Sequence, residues 1–207
     1  MWRISGIERD VYLYATPKID IRDFKVQSNL INNYTDGALD IDSEVNSYKT
    51  DTKTLHSRPD SFSVDVQLVD ADGREVYKES SDKFLTVLGK YKTDVTFKKV
   101  LPGVKTWSAE IPYLYTLYMT LKDKQGSVLE VVPVRVGFRS VEIKGRDFLV
   151  NGKRVFFKGV NRHEHNPKTG HTLTKEDMLK DMEMMKKVNV NAVRHSHYPP
   201  DPYWLEL

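Results

Sequence analysis

Apolar and polar positions alternate with a period of two through most of residues 18–139, a pattern that predicts strands rather than helices. Phe62, Val64, Val66 and Leu68 alternate with Ser63, Asp65 and Gln67, and Asp72-Gly73 then marks a turn. Thr93, Val95 and Phe97 alternate with Asp94 and Thr96. Tyr115, Leu117, Met119 and Leu121 alternate with Thr116 and Thr120, and a second turn signal follows at Gln125-Gly126. Leu39, Ile41 and Val45 share one face of an earlier strand. Strands of this kind set one face on a core and one in water, as antiparallel sheets do. About seven of them in roughly 120 residues is the size of an immunoglobulin-like sandwich. Strand count alone carries that reading, since the chain has no cysteine pair and no antibody-type signature.

The period changes after Arg139. Val141-Glu142-Ile143 and Phe148-Leu149-Val150 flank Gly145 and predict a small hairpin. Val155-Phe156-Phe157-Lys158-Gly159-Val160 is largely apolar, which predicts a strand covered on both faces. Thr174-Lys175-Glu176-Asp177 has the form of a capping box, with Thr174 as N-cap. Met178, Met182 and Met185 then fall on one helical face with Leu179 beside them, a stripe that reads as helix core rather than a cofactor surface. Residues 189–193 begin a second buried strand. Strand, helix and parallel strand make one βαβ unit, the repeating element of α/β folds. One unit cannot cover both faces of a sheet, so further units are expected beyond Leu207.

Composition excludes several function classes. The 207 residues, 39% hydrophobic and 29% charged, suit one large globular domain or an ordinary domain with extra pieces. A net charge of +3 without a basic run does not point to nucleic acid. No apolar segment has the length of a membrane span, and no secretory signal pattern opens the chain. The absence of cysteine excludes disulfides and thiolate metal sites and leaves the compartment open.

Candidate chemistry gathers near the C-terminus. Five of the six histidines lie in the last quarter of the chain. Four of them fall in two clusters, Gly159-Val160-Asn161-Arg162-His163-Glu164-His165-Asn166-Pro167 and Asn191-Ala192-Val193-Arg194-His195-Ser196-His197-Tyr198-Pro199, with His171 between. Each cluster follows a predicted strand, and in barrels of alternating strands and helices function sits at the carboxyl ends of the strands. Imidazoles and guanidinium groups there can donate directed hydrogen bonds to a polyhydroxylated ligand or a carboxylate. Arg194 can orient an acidic group by a bidentate contact. A metal site built from His163, His165 and His171 is disfavoured, because the spacing is not that of paired histidines on a helix. Glu164, in a loop with no second acid, reads as an ion-pair partner of a nearby arginine rather than as a catalytic carboxylate. Trp107, Tyr113, Tyr115 and Tyr118 read as packing rather than as a sugar-stacking platform.

The two clusters, with residues 173–207 as a whole, resemble glycoside hydrolase family 2. Within it the His-Glu-His form of the first cluster is most similar to the large bacterial β-galactosidases. Met1-Trp2-Arg3-Ile4-Ser5-Gly6-Ile7-Glu8-Arg9-Asp10-Val11 resembles the end of the family's sugar-binding jelly roll. Trp107-Ser108-Ala109-Glu110-Ile111-Pro112 with Leu114-Tyr115 resembles the motif late in its immunoglobulin-like domain, and Val136-Gly137-Phe138-Arg139 its exit into the barrel. The resemblance covers the whole chain, with its motifs in the family's order and spacing.

The resemblance implies a mainly β chain in three parts. Residues 1–17 would be the tail of the jelly roll, 18–139 an immunoglobulin-like β-sandwich, and 140–207 the truncated first βαβ unit of a TIM (β/α)8 barrel. It implies a retaining β-galactosidase that cleaves terminal β-D-galactose with two glutamates about 5 Å apart. Both are expected beyond Leu207, so no catalytic residue is assigned in this chain and the fragment is expected to be inactive. His163 and His197 would match the histidines that contact galactose hydroxyls, and Arg194 the arginine that holds the nucleophile. No metal ligand is assigned here, since the family's Mg2+ ligands lie downstream and its Na+-binding aspartate just before Met1. A homo-oligomer in the bacterial cytoplasm or periplasm is expected of the full-length enzyme, with β-galactosides as its partners. The one departure is His195, where the family usually has a small residue. The alternative from a different class is a carbohydrate-binding or structural sandwich acting without catalysis.

Overall fold

The computed structural model describes residues 7, 9–47, 61–82, 84–85 and 92–207. Most of the motif that opens the chain, residues 1–6 and Glu8, lies outside the described residues. Packing divides the chain into two units, residues 15–155 and residues 1–14 with 156–207.

Among the described residues the two sheets of the larger unit have eight strands: β1 (Ile19–Ile31), β2 (Asp36–Ser47), β3 (Ser61–Val69), β4 (Glu75–Ser80), β5 (Phe84–Leu85), β6 (Lys92–Leu101), β7 (Tyr115–Asp123) and β8 (Val128–Val136). One sheet has the order β1-β2-β6. The other runs β4-β3-β7-β8, with the short β5 also paired to β3. All pairs are antiparallel. The predicted inward positions are buried: Leu39, Ile41 and Val45 on β2, Phe62, Val64, Val66 and Leu68 on β3, Val95 and Phe97 on β6, and Tyr115, Leu117, Met119 and Leu121 on β7. They join in a single apolar cluster drawn from both sheets, which makes the unit a sandwich. At one margin the sheets are linked by Glu130 on β8, whose carboxylate accepts a hydrogen bond from the Ile21 amide of β1 at 2.8 Å.

Two close approaches shape this core. Phe138, fully buried just past β8, meets the Tyr115 ring edge to face at 5.4 Å. Its ring lies so near the β2 backbone that a Cβ on Gly37 would come within 2.7 Å of Phe138 Cδ1 and Cε1. Burial raises the pKa of the Tyr115 hydroxyl, which accepts a hydrogen bond from the Lys105 amide. Tyr113 stacks edge-on against Tyr115 at 5.1 Å, and Arg139 lies over Trp107 at 4.8 Å. These aromatic rings pack within the unit, as expected.

The predicted hairpin is present as β9 (Val141–Lys144) and β10 (Asp147–Val150), and a third strand, β11 (Lys153–Arg154), extends it. Its second turn is Asn151-Gly152, both at positive φ (50° and 72°), a two-residue connection whose twist suits a hairpin. By packing, these strands go with the sandwich. Asn151 donates to the Trp107 carbonyl at 2.9 Å and accepts from the Ser140 amide at 2.9 Å, and the Tyr34 hydroxyl donates to Glu142.

The smaller unit holds β12 (Gly159–Arg162), α1 (Lys175–Lys187), β13 (Ala192–His195) and the short α2 (Pro202–Glu206). β12 and β13 pair in parallel, as a βαβ unit requires. Helix α1 starts on the predicted capping box: the Asp177 amide donates to the Thr174 hydroxyl, and the Thr174 amide donates to the Asp177 carboxylate. That backbone hydrogen bond is the main reason the Asp177 carboxyl is held below its ordinary pKa. The helix ends with Asn189 in the left-handed region (φ 60°), where the Asn189 and Val190 amides close back on the Lys186 and Met185 carbonyls. Of the methionine stripe, Met178 is buried and Met182 and Met185 are half-buried, while Leu179 is exposed.

Two expectations are corrected here. The second buried strand, expected to begin over residues 189–193, starts only at Ala192 and has no fully buried position, because Asn189 and Val190 close the end of α1. The apolar run 155–160 was expected to form a strand covered on both faces. Pairing begins only at Gly159, and Phe156, Phe157 and Val160 are exposed at 65%, 62% and 37%. Two causes are visible. Ahead of Gly159 the Asn191 side chain accepts from the Lys158 amide at 2.7 Å and donates to the Phe156 carbonyl at 2.8 Å, beside a single backbone bond from the Asn191 amide to the Lys158 carbonyl at 3.1 Å. Among the described residues, β12 also has only β13 beside it.

Candidate functional site

The parallel register aligns Asn161 with Arg194 and Arg162 with His195, so the two strands end level. Side chains alternate between faces along each strand. Asn161 and Arg194 therefore share one face, and the Arg194 guanidinium reaches Asn161 Oδ1 at 3.5 Å. Arg162 and His195 share the other face. There the Arg162 guanidinium lies 3.8 Å from the Trp204 ring centroid, and the His195 ring meets Trp204 edge to face at 5.6 Å.

Just past the strand ends, the residues expected to act together are brought together. The rings of His163 and His197 stand 5.5 Å apart in a T-shaped arrangement. Arg194 donates to the buried Ser196 hydroxyl at 2.9 Å, and its other terminal nitrogen lies 3.4 Å from His197 Nδ1. His163, Arg194 and His197 are all exposed, so this group presents imidazole and guanidinium donors to solvent.

Glu164 is the ion-pair partner expected from its loop position, and its burial is nearly complete at 1% exposure. Arg9 donates to one carboxylate oxygen at 2.5 Å, while the other accepts from the Asp201 amide at 2.8 Å and faces Arg162 Nη1 at 3.6 Å. Arg162 is also bound through Nε to Asp181 at 3.0 Å. The periodicity of the chain carried no sign of Arg9, which lies 155 positions from Glu164. Nor did it point to Trp204 as the ring beneath Arg162.

His165 and His171 lie with ring centroids 6.0 Å apart, and His171 meets Tyr198 at 5.1 Å. Among the described residues no group of three His, Asp or Glu is placed to hold a metal ion. Mg2+ and Na+ take oxygen ligands. The donors around His163 and His197 are imidazoles and a guanidinium, and the Glu164 oxygens are already engaged by cations and an amide. This cluster does not fit either ion.

His195, the departure from the expected small residue, is directed to the Trp204 face. Burial first, then the neighbouring Arg162 charge, lower its pKa from 6.5, with Glu164 opposing. The unfolded chain therefore takes up this proton more readily than the folded one. The contribution of His195 to stability is full above its unfolded pKa and is lost as pH falls through the lower folded value. Melting curves at about pH 7.5 and 5.5 should show a smaller pH difference for His195→Asn than for the parent chain. An unchanged difference would mean that His195 is not the group responsible.

The family model described as glycosyl hydrolases family 2 matches residues 19–139, and the model of that family's TIM barrel domain matches residues 141–207. The chain belongs to glycosyl hydrolase family 2. Among its relatives, a β-galactosidase of Priestia megaterium is 43% identical over 208 residues, covering 100% of this chain and 19% of its own length. A β-galactosidase of Streptococcus thermophilus is 43% identical over 206 residues, with 100% and 18% covered. Among solved structures, a family 2 member from Bacteroides cellulosilyticus has a TM-score of 0.81 at 20% identity, covering 92% of this chain and 25% of that one. A β-glucuronidase of Parabacteroides merdae has a TM-score of 0.76 at 25% identity, covering 92% and 22%. The chain thus spans about a fifth of the length of the curated relatives it matches.

Proposed function

We propose that the strand-end cluster of β12 and β13 is one wall of the galactose subsite of a retaining β-galactosidase. The observation that carries this reading is the meeting of His163 and His197 at 5.5 Å, with the Arg194 guanidinium beside His197. Two imidazoles at that spacing can donate to neighbouring hydroxyls of one sugar ring. Arg194 is exposed and keeps donors to spare, so it can hold and orient a carboxylate. The names of the relatives supply the sugar. The geometry supplies the wall.

Retaining hydrolysis needs two carboxyl groups about 5–5.5 Å apart, one as acid/base and one as nucleophile. Glu164, which follows His163 in sequence, is buried between Arg9 and Arg162. Asp181 is bound to Arg162, and Asp201 caps α2. None is placed to protonate a leaving group or attack an anomeric carbon. The purified 207-residue chain is therefore expected to release no nitrophenol from a nitrophenyl β-galactoside above a vector control. Sustained turnover by the chain alone would overturn this assignment of roles. The subsite reading is tested separately by titrating labelled chain with galactose and with glucose, where selective movement of the His163 and His197 ring signals by galactose is expected.

A further inference from the structure

The residue between the cluster and its support is Glu164. Its carboxylate and main chain touch every segment that could let the two site histidines drift apart. Oε1 accepts from the Asp201 amide at 2.8 Å, in the loop that carries His197. The Glu164 carbonyl lies 3.5 Å from the Tyr198 hydroxyl, next to His197 in sequence. Oε2 accepts from Arg9, and the same Arg9 nitrogen donates to the Pro199 carbonyl at 3.2 Å. The Ser196 amide donates to the Arg162 carbonyl at 3.0 Å, and Arg162 in turn faces Glu164. His163 itself is the preceding residue.

A buried carboxylate is stable only when its charge is paired and its lone pairs are filled. Here the partners come from three parts of the chain: the N-terminal segment, the end of β12, and the loop after β13. Such a group resists displacement, because moving any one loop leaves a buried charge unmet. We propose that Glu164 is a positioning residue. In this role it locks the loop after β12 to the loop after β13, with Arg9 as an outer strut, and so sets the separation of His163 and His197. This rests on the subsite reading for its purpose, but its geometry stands without a sugar.

The test uses the full chain with isotope-labelled histidine. The parent should show a cross-peak between the His163 and His197 rings. Glu164→Gln keeps the size and an acceptor for the Asp201 amide but removes the charge, and it is expected to lose that cross-peak. The sandwich amide signals should stay in place. A retained cross-peak in Glu164→Gln would overturn the proposal and leave Glu164 as an ion pair that only supports the fold. Should that variant unfold the smaller unit, Arg9 decides. Arg9→Met losing the cross-peak while Arg9→Lys keeps it supports the strut, and the same behaviour in both variants overturns it. Galactose titration of the parent is a separate arm. A cross-peak that depends on Glu164 in a chain indifferent to galactose would sink the subsite reading and leave the positioning role intact.

Discussion

Replacing Phe138 by alanine is expected to cost the sandwich about 3–5 kcal/mol. The ring is fully buried, meets Tyr115 edge to face, and lies directly against the β2 backbone at Gly37. Truncation removes those contacts and leaves a hole that neither Gly37 nor the rigid Tyr115 can fill. A double-mutant cycle checks the cause as well as the size. Gly37→Ala alone should cost about 1–3 kcal/mol by overpacking. In the Phe138→Ala background that cost should fall clearly, since the clashing ring is gone and the next atom a Cβ would meet, Val104 Cγ1 at 3.0 Å, belongs to a side chain. Urea unfolding of the four chains measures this, and costs that simply add would show that the two residues do not share the space.

Arg162→Met is the second large effect, at about 3–5 kcal/mol in the smaller unit. The guanidinium is 4% exposed, stacks on Trp204 and is bound to Asp181 and Glu164. Removing it leaves Glu164 buried with Arg9 as its remaining cation. Lysine is not a conservative replacement, because a compact ammonium cannot lie flat on the indole while one nitrogen bonds Asp181 and another faces Glu164. The loss should appear as faster amide exchange in β12 and β13, with β3 and β7 unchanged. A cost under about 1 kcal/mol would mean that burial of the charges already cancels their attraction.

The sandwich and the βαβ unit were legible because both rest on local periods. Alternation marked the inward faces of β2, β3, β6 and β7, and Thr174 with Asp177 marked the start of α1. Two local signals were present but not read: Asn151-Gly152 between Val150 and Lys153, the turn of the hairpin's second connection, and Asn189, whose short polar side chain suits the left-handed end of a helix. The start of β12 was misplaced for a physical reason. Apolar content reports what a segment prefers to bury, while its pairing here is decided by the side-chain amide of Asn191, thirty-three positions from Lys158. In the candidate site, His163, His197 and Arg194 could be singled out because polar residues gather at the strand ends, while the roles expected of them come from the family resemblance. Arg9 could not, since nothing in the residues around it announces a carboxylate at the far end of the chain.

That pairing of Arg9 with Glu164 has a consequence for the order in which the protein folds. Strand pairs within the sandwich join positions no more than 64 apart, as Gly37 with Leu101, whereas the Arg9–Glu164 contact closes a loop of 155 positions. Non-local contacts wait for the entropy of closure to be offset by structure already made. During synthesis the strands of the sandwich are all made before β12, and domains generally fold as units from the N-terminal side. Collapse of the sandwich shortens the tether between the chain's two ends. Arg9 is translated before β1 and engaged only after β12, so slow translation of residues 156–207 leaves it waiting with its charge in water.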